Sequence, residues 1–286
     1  MTQPDPVFHP AFDIGAATLD CGVEPRTDSY DAVEWPDYVP LVDWSGCEPT
    51  PDQAVMNRWL TTRPLDALAI LHVGAGNSSP ARLAASTARA VDAVTVSPHE
   101  LTHARGLELP GYTVHLVNKY SEQFACALTG RQFDCILDNN LVSFACCQRH
   151  AERYFETLAA LLNPDGIIVT HRLGMRFILE SAGVEKVWRL DTGALRTIAA
   201  AYGWQVAPFA GLHFLGAPSA VAGLHLAPSP ATALLRLRLR AAVLPATIRM
   251  ARSFPAGLTG TVIRTFRDKR TPTRRPHRKP HLQNDP

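Results

Sequence analysis

The sequence has no long hydrophobic run. Its apolar stretches all fall short of the roughly 18 residues that a membrane-spanning helix requires. The first residues also lack a basic segment followed by an apolar stretch, so we expect no secretory signal and a cytoplasmic protein. The chain of 286 residues is 46% hydrophobic and 19% charged, which is sufficient for one large domain with a sizeable core.

Cysteine pairs of the kind that bind zinc are missing as well. None of the six cysteines belongs to a Cys-x-x-Cys pair. We also identify no cysteine at the spacing from a histidine that is typical of zinc ligands. We therefore predict reduced thiols and no metal site. The neighbours Cys146 and Cys147 leave a redox-reactive site open as an alternative to two ordinary packed thiols.

Acidic residues are scarce in the last third of the chain. From Thr192 to the C-terminus there are 14 Lys and Arg residues but only Asp268 and Asp285 of opposite sign, so this segment carries +12. Residues 1–191 carry −10. This asymmetry is typical of a basic segment with an anionic partner, such as RNA or a membrane surface, and a passive solvated extension is the alternative.

Periodicity divides the chain into four parts. Residues 1–50 are rich in Pro and Asp and predict an irregular N-terminal arm, whereas residues 51–217 show the regular pattern of one domain. Residues 218–263 are basic and apolar without a clean period. Residues 264–286 have too little apolar surface to offset the entropy of ordering, which predicts a disordered basic tail.

Strand and helix patterns alternate through the domain. A helix over 51–65 precedes an apolar strand at 67–73, and helical patterns then separate most of the later strands. This alternation predicts an α/β fold with a doubly wound, mostly parallel sheet, whose ligands bind at the carboxyl ends of the strands. The later strands are predicted at 93–97, 112–117, 133–141, 166–172, 204–211 and 212–217, and the helices at 79–90, 98–109, 148–162 and 192–203.

Two glycines stand where the first strand meets the next helix. Gly74 and Gly76, in the sequence Gly-Ala-Gly-Asn, allow a sharp turn and the close approach of a ligand to the backbone. Dinucleotide-binding enzymes use Gly-x-Gly-x-x-Gly at this place, but Ser79 replaces the third glycine here. The turn therefore predicts a ligand site and weakens the nicotinamide interpretation.

Six segments over residues 55–216 resemble, in order, the motifs of class I S-adenosylmethionine-dependent methyltransferases. The resemblance is to the branch of small-molecule methyltransferases and cyclopropane fatty acid synthases. It implies a Rossmann-like methyltransferase fold and S-adenosyl-L-methionine as the cofactor. The segments are "ALAILHVGAGN", "VTVSPHE", "YSEQF", "FDCILDNNLVSF", "YFETLAALLNPDGIIVTHR" and "LRTIAAAYGWQV".

The resemblance also implies which residues bind the cofactor. Glu100 stands where this branch has a glutamine near the ribose, although an acid in a first helical turn is the plainer alternative. A helix cap is the alternative for Asn77, and packing is the alternative for Tyr120 and Ser121 at the adenine border. The implied cofactor-binding residues are Gly74, Ala75, Gly76, Asn77, Ser97, Glu100, Tyr120, Ser121 and Asp138.

Two further residues are implied in catalysis. Asn139 lies at the polar exit of the fourth strand, and His171 ends the fifth strand, where an imidazole is suited to act as a general base. A structural role for His171 is the alternative. The acids that the family often carries are missing, since His72 precedes the first motif and Thr95 ends the second strand. We predict a buried, hydrogen-bonded neutral imidazole for His72.

These features predict methyl transfer from S-adenosylmethionine to an oxygen or nitrogen of a small molecule. We expect no nucleic acid as the first-choice partner and no transmembrane segment. One alternative is a binding protein that keeps the fold without catalysis, because the family acids are absent. The other is an RNA-modifying or membrane-peripheral enzyme that uses the basic tail.

Overall fold

A seven-stranded sheet forms the centre of the molecule. The computed structural model describes residues 8–12, 19–25, 43–142, 145–176, 190–226 and 233–239. The strands are β1 (Ala69–Val73), β2 (Ala90–Thr95), β3 (Tyr112–Leu116), β4 (Phe133–Asp138), β5 (Leu162–His171), β6 (Gln205–Phe209) and β7 (Leu212–Gly216). Their order is β3-β2-β1-β4-β5-β7-β6, parallel from β3 to β5, with β7 antiparallel to both of its neighbours.

Helices cover both faces of this sheet. Alternate residues of the strands enter two separate apolar clusters, as the period of two in a strand requires. One cluster contains Tyr154 and Leu158, and the other contains Val55 and Trp59. The helices are α1 (Pro51–Leu60), α2 (Ser79–Ala84), α3 (Pro98–Gly106), α4 (Glu122–Ala127), α5 (Gln148–Leu161), α6 (Thr192–Ala201) and α7 (Pro218–Ala222), with a further helical segment at 233–239. The predicted doubly wound α/β fold is confirmed.

The strand order reverses at the middle of the sheet. β1 pairs with β2 on one side and with β4 on the other, so chain progress changes direction between β1 and β4. In open α/β sheets a crevice forms at the carboxyl ends of the strands at such a point. The turn after β1 and the residues after β2, β4 and β5 therefore belong to one edge of the sheet.

The boundaries of three predicted elements are wrong. β2 begins at Ala90 and not at residue 93, and α2 ends at Ala84, so its helix is shorter than predicted. The segment Asn163–Gly166, which follows the predicted helix at 148–162, lies within β5, so this strand begins earlier than the predicted residue 166. It forms a bulge, because the pairing of β4 with β5 shifts register there and Asn163 Nδ2 donates to Asp134 Oδ1 at 2.6 Å.

Segments outside the predicted domain also enter the core. In the predicted arm, the ring of Phe12 is buried 5.5 Å from that of Phe155. Beyond residue 217, Leu224 and Leu239 are buried in the cluster that contains α1. The described residues therefore show no break in packing at 217. The predicted disordered tail, 264–286, lies outside the described residues, and among the described helices none is long and apolar enough to span a membrane.

Candidate active site

The glycine turn after β1 has the backbone that its sequence predicts. Gly74 and Gly76 have φ of +87° and +49°, in the left-handed region that favours glycine. The N–H groups of Gly74 and Ala75 donate to Val94 O at 3.0 and 2.9 Å and tie the turn to β2. A Cβ placed on Gly74 would meet no atom of the described residues within 4 Å. Gly74 thus exposes its backbone to open space at the switch point.

The carboxylate of Glu100 closes this turn from the side of β2. Its Oε2 accepts hydrogen bonds from Gly76 N at 3.0 Å and from Thr95 Oγ1 at 2.5 Å. Ser97 caps α3 and orients Glu100 by accepting from its backbone N–H at 3.4 Å. Burial raises the pKa of Glu100, although these hydrogen bonds oppose the shift. The structure brings Gly76, Ser97 and Glu100 together, as predicted for one site.

A described part of the N-terminal arm lies over the same turn. Asn77 Nδ2 donates to Cys47 O at 2.6 Å, while its Oδ1 accepts from Ser79 N at 3.0 Å. A Cβ on Gly76 would lie 3.7 Å from the Trp44 Cβ. Asn77 therefore accepts from the first N–H of α2 and holds the arm, in which Trp44 and Cys47 contact the turn.

Tyr120 and Ser121 point into the protein. Tyr120 is 2% exposed, and its hydroxyl donates to Leu141 O at 2.7 Å. Ser121 Oγ donates to Asn118 O at 2.7 Å and is also buried. Both residues have the surroundings of the packing alternative. Their place at the border of a bound adenine stays a prediction.

Asp138 is held in a buried network of its own. Its Oδ2 accepts from Lys119 Nζ at 2.8 Å and from the Tyr154 hydroxyl at 2.5 Å, and its Oδ1 accepts from Asn140 N at 2.8 Å. Lys119 Nζ also lies 4.8 Å from the centre of the Tyr154 ring. All of these donors are internal, so Asp138 fixes the end of β4 and its carboxylate is engaged within the protein.

Asn139 contacts a residue that the sequence analysis missed. Its Nδ2 donates to Oδ2 of Asp52, on the first turn of α1, at 2.6 Å, and both side chains are buried. Asn139 Oδ1 is buried, and no residue that the structure describes forms a hydrogen bond with it. A side chain at residue 174 would collide with Asn139, so only Gly174 fits beside it. In the sequence, Asp52 cannot be told from an ordinary acid at the start of a helix. Its contact with Asn139 is visible only in the fold.

His171 is buried with both ring nitrogens constrained. Nδ1 accepts from Leu173 N at 3.2 Å, so the neutral imidazole carries its proton on Nε2. Nε2 points at Gly211, where a Cβ would approach to 2.6 Å. Burial lowers the pKa of His171 to about 4. These constraints fit the structural alternative, and they leave no free lone pair for the predicted general base.

His72 has the environment predicted for it, apart from hydrogen bonding. It is 6% exposed within β1, and burial lowers its pKa to about 4, so the imidazole is neutral. Asp138 opposes that shift. Nδ1 is buried, and none of the described residues supplies it with a hydrogen-bond partner.

One prediction about the cysteines is wrong, because a histidine does lie at a ligand spacing from two of them. His150 follows Cys147 by three residues and Cys146 by four, which is a ligand spacing. In the structure these three residues meet Cys21, 125 residues before Cys146. The local sequence Cys-Cys-x-x-His was the available signal, but its fourth member comes from the irregular arm.

Comparisons with known proteins yield structural matches only. No protein-family model matches the sequence, and no curated protein matches it. The CcbJ methyltransferase from Streptomyces caelestis is 16% identical, with a TM-score of 0.45, over 64% of this chain and 93% of its own. The sugar N-methyltransferase KedS8 from Streptoalloteichus sp. is 15% identical, with a TM-score of 0.47, over 65% of this chain and 96% of its own.

A third match has a comparable extent. CalS10, an amino pentose methyltransferase from Micromonospora echinaspora whose structure contains bound S-adenosylmethionine, is 18% identical, with a TM-score of 0.45. The match covers 64% of this chain and 99% of CalS10. At these identities and TM-scores, no activity is transferred from the matched proteins to this chain.

Proposed function

We propose that this chain binds S-adenosyl-L-methionine at the glycine turn and transfers its methyl group to an oxygen or nitrogen of a small molecule. The observation that carries the proposal is the open glycine turn at the switch point of the sheet, joined to Glu100 by the hydrogen bond from Gly76. Four of the segments that resemble class I methyltransferases contain the carboxyl ends of β1, β2, β4 and β5, which lie along this same edge. Similarity to small-molecule methyltransferases supports the cofactor and leaves the acceptor undefined.

The residues of the turn fit an adenosyl ligand. The bare backbone at Gly74 gives close access without a side chain, and in the described part of the chain no atom lies within 4 Å of the position its Cβ would take. Glu100 supplies a buried carboxylate that accepts hydrogen bonds, the chemistry that ribose hydroxyl groups require. We assign Gly74, Ala75, Gly76, Ser97 and Glu100 to the cofactor site.

The protein's contribution to catalysis would be positioning. The sulfonium of S-adenosylmethionine supplies an activated methyl group, so holding the acceptor in line accounts for much of the rate. Asp52 and Asn139 are fixed against each other at the end of β4 and would orient the acceptor. The unpartnered Oδ1 of Asn139 is suited to accept a hydrogen bond from a hydroxyl or amine. His171 is assigned a structural role.

Calorimetric titration with S-adenosylhomocysteine, the product of the cofactor, tests the proposal. Gly74→Val and Gly203→Val form a matched pair, because both glycines have positive φ (+87° and +70°) and open space at Cβ. Each variant should lose about 1–3 kcal/mol of stability through backbone strain. Only Gly74→Val should lose binding. Equal affinities in the two variants, or no binding by the wild-type chain, would refute the assignment of the site.

A binding protein without transferase activity is the second candidate. The constrained nitrogens of His171 favour it, because a hydroxyl acceptor then lacks the base predicted from the sequence. Incubation with labelled S-adenosylmethionine and a panel of small hydroxyl and amine acceptors separates the two candidates. Product formation that is lost in Asn139→Leu supports the transferase, whereas binding without any turnover supports the binding protein.

A further inference from the structure

Three cysteines and one histidine meet where the N-terminal arm touches α5. The Sγ of Cys21 lies 3.6 Å from that of Cys146, and His150 Nδ1 lies 3.5, 3.0 and 3.2 Å from the Sγ atoms of Cys21, Cys146 and Cys147. All four ligand atoms lie within 4.8 Å of one another. Cys147 and His150 are buried, and Cys21 and Cys146 are partly exposed. None of these four residues is assigned to the glycine turn or to the pair of Asp52 and Asn139.

The spacing of these atoms matches a tetrahedral zinc centre. With Zn–S of about 2.3 Å and Zn–N of about 2.0–2.1 Å, a tetrahedron places sulfurs about 3.8 Å apart and sulfur and nitrogen about 3.6 Å apart. The separations from Cys21 to Cys146 and His150 agree with these values within 0.2 Å. The closer pairs need shifts of about half an ångström to reach them, which side-chain rotation supplies.

Contacts around the cluster hold residues 19–25, which contain Cys21, against the start of α5. Arg149 Nη1 binds Asp20 Oδ2 at 2.7 Å on one side of Cys21, and Arg153 Nη1 binds Glu24 Oε2 at 2.7 Å on the other. The backbone N–H of Arg149 also donates to Leu19 O at 3.0 Å. Residues 19–25 are thereby clamped along the start of α5 by bonds that do not involve the thiols.

The charges nearby suit an anionic metal centre. Zinc with three thiolates and a neutral histidine carries a net charge of −1, and its formation releases three thiol protons. Cys147 is the N-cap of α5, and Cys146 precedes it, so both lie at the positive end of a 14-residue helix. Arg149, one residue before His150, adds a cation that is paired with Asp20 at 2.7 Å.

We propose that Cys21, Cys146, Cys147 and His150 bind one zinc ion that fastens the N-terminal arm to α5. Four protein ligands leave no open position, which makes the site structural. The ion would join residues 19–25 to the segment that follows β4. It would thereby anchor the arm beside the end of β4, where we place the acceptor. This site is independent of the proposed methyl transfer.

Metal analysis of the full chain, purified under reducing conditions and loaded with Zn²⁺, tests this proposal. We expect one zinc ion per chain in the wild type and in Cys126→Ser, since Cys126 is an exposed thiol outside the cluster. Cys21→Ser and Cys146→Ser should lose most of the bound zinc. Cys21 lies on the arm, so its variant keeps the sheet intact and carries the test if Cys146→Ser does not fold.

Cobalt substitution and thiol alkylation give two further readouts. Co²⁺ in place of zinc should give intense visible absorption and a thiolate charge-transfer band, typical of tetrahedral sulfur ligation. Zinc should protect Cys21 and Cys146 from alkylation while Cys126 reacts, and a chelator should remove that protection. Absence of stoichiometric zinc, a Cys21–Cys146 disulfide in the reduced preparation, or equal zinc loss in Cys126→Ser would overturn the proposal.

Discussion

The carboxylate of Glu100 accepts a hydrogen bond from the backbone N–H of Gly76 at 3.0 Å. This bond joins the start of α3 to the turn after β1, two elements that are 24 residues apart in the chain. The glycine turn is therefore held by the carboxylate of Glu100, which we assign to the cofactor site. Most of what we propose about the cofactor site follows from this contact.

Substitution of Glu100 tests whether the contact serves binding. Glu100→Gln keeps an acceptor for the Gly76 N–H and provides the residue type that the resembling branch has at this position. We expect it to bind S-adenosylhomocysteine within about threefold of the wild type, whereas Glu100→Ala should bind at least about tenfold more weakly, equivalent to about 1.4 kcal/mol. Calorimetry on folded protein measures both. Equal affinities in the two variants would show that residue 100 does not touch the ligand.

The buried pair of Asp138 and Lys119 predicts a stability effect. Asp138→Asn leaves the ammonium of Lys119, whose side chain is 11% exposed, without its counter-charge. The loss should be about 3 kcal/mol in the free energy of unfolding, since breaking one side of a buried ion pair is costly. The double variant Asp138→Asn/Lys119→Met should recover part of it in denaturant titrations. A double variant less stable than Asp138→Asn would contradict this account.

The buried histidine in β1 predicts a loss of stability in acid. Burial lowers the pKa of His72 to about 4, so the unfolded chain binds this proton more tightly than the folded chain. The contribution of neutral His72 to the free energy of unfolding is therefore fully present above the ordinary pKa of histidine. It is lost as the pH drops towards 4. For His72 alone the loss between pH 7 and pH 5 is about 2 kcal/mol.

Comparison of His72→Leu with the wild type isolates this contribution. His171 also has a lowered pKa of about 4, so the variant should keep part of the acid sensitivity and lose the share due to His72. Denaturant titrations at pH 7 and pH 5 measure the difference. Identical changes in the two proteins would show that His72 is not buried as a neutral group.

Local patterns in the sequence were sufficient to predict the sheet and the glycine turn. The alternation of apolar strands and amphipathic helices depends on neighbouring residues, and Gly74 has a backbone that only a few residue types adopt readily. The bulge at Asn163–Gly166 was not predicted, because Pro and Gly in that segment read as a turn. Pairing with β4 overrides that local preference.

Contacts between distant segments account for what the sequence did not predict at the site. Asp52 and Asn139 are 87 residues apart, and Cys21 and Cys146 are 125 apart, so neither pair leaves a periodic signal. The inward direction of Tyr120 was equally hidden, because a tyrosine after a strand is compatible with a pocket wall or with the core. In the fold its hydroxyl donates to Leu141 O at 2.7 Å, a contact that the local sequence does not indicate.

Hydrogen–deuterium exchange of the full chain with and without S-adenosylhomocysteine tests directly whether the cofactor binds at the glycine turn. The account predicts that added ligand slows exchange in peptides that contain Gly74–Asn77 and Ser97–Glu100, with little change in peptides from β6 and β7. Protection confined to other parts of the chain, or none at saturating ligand, would contradict a cofactor site at the glycine turn.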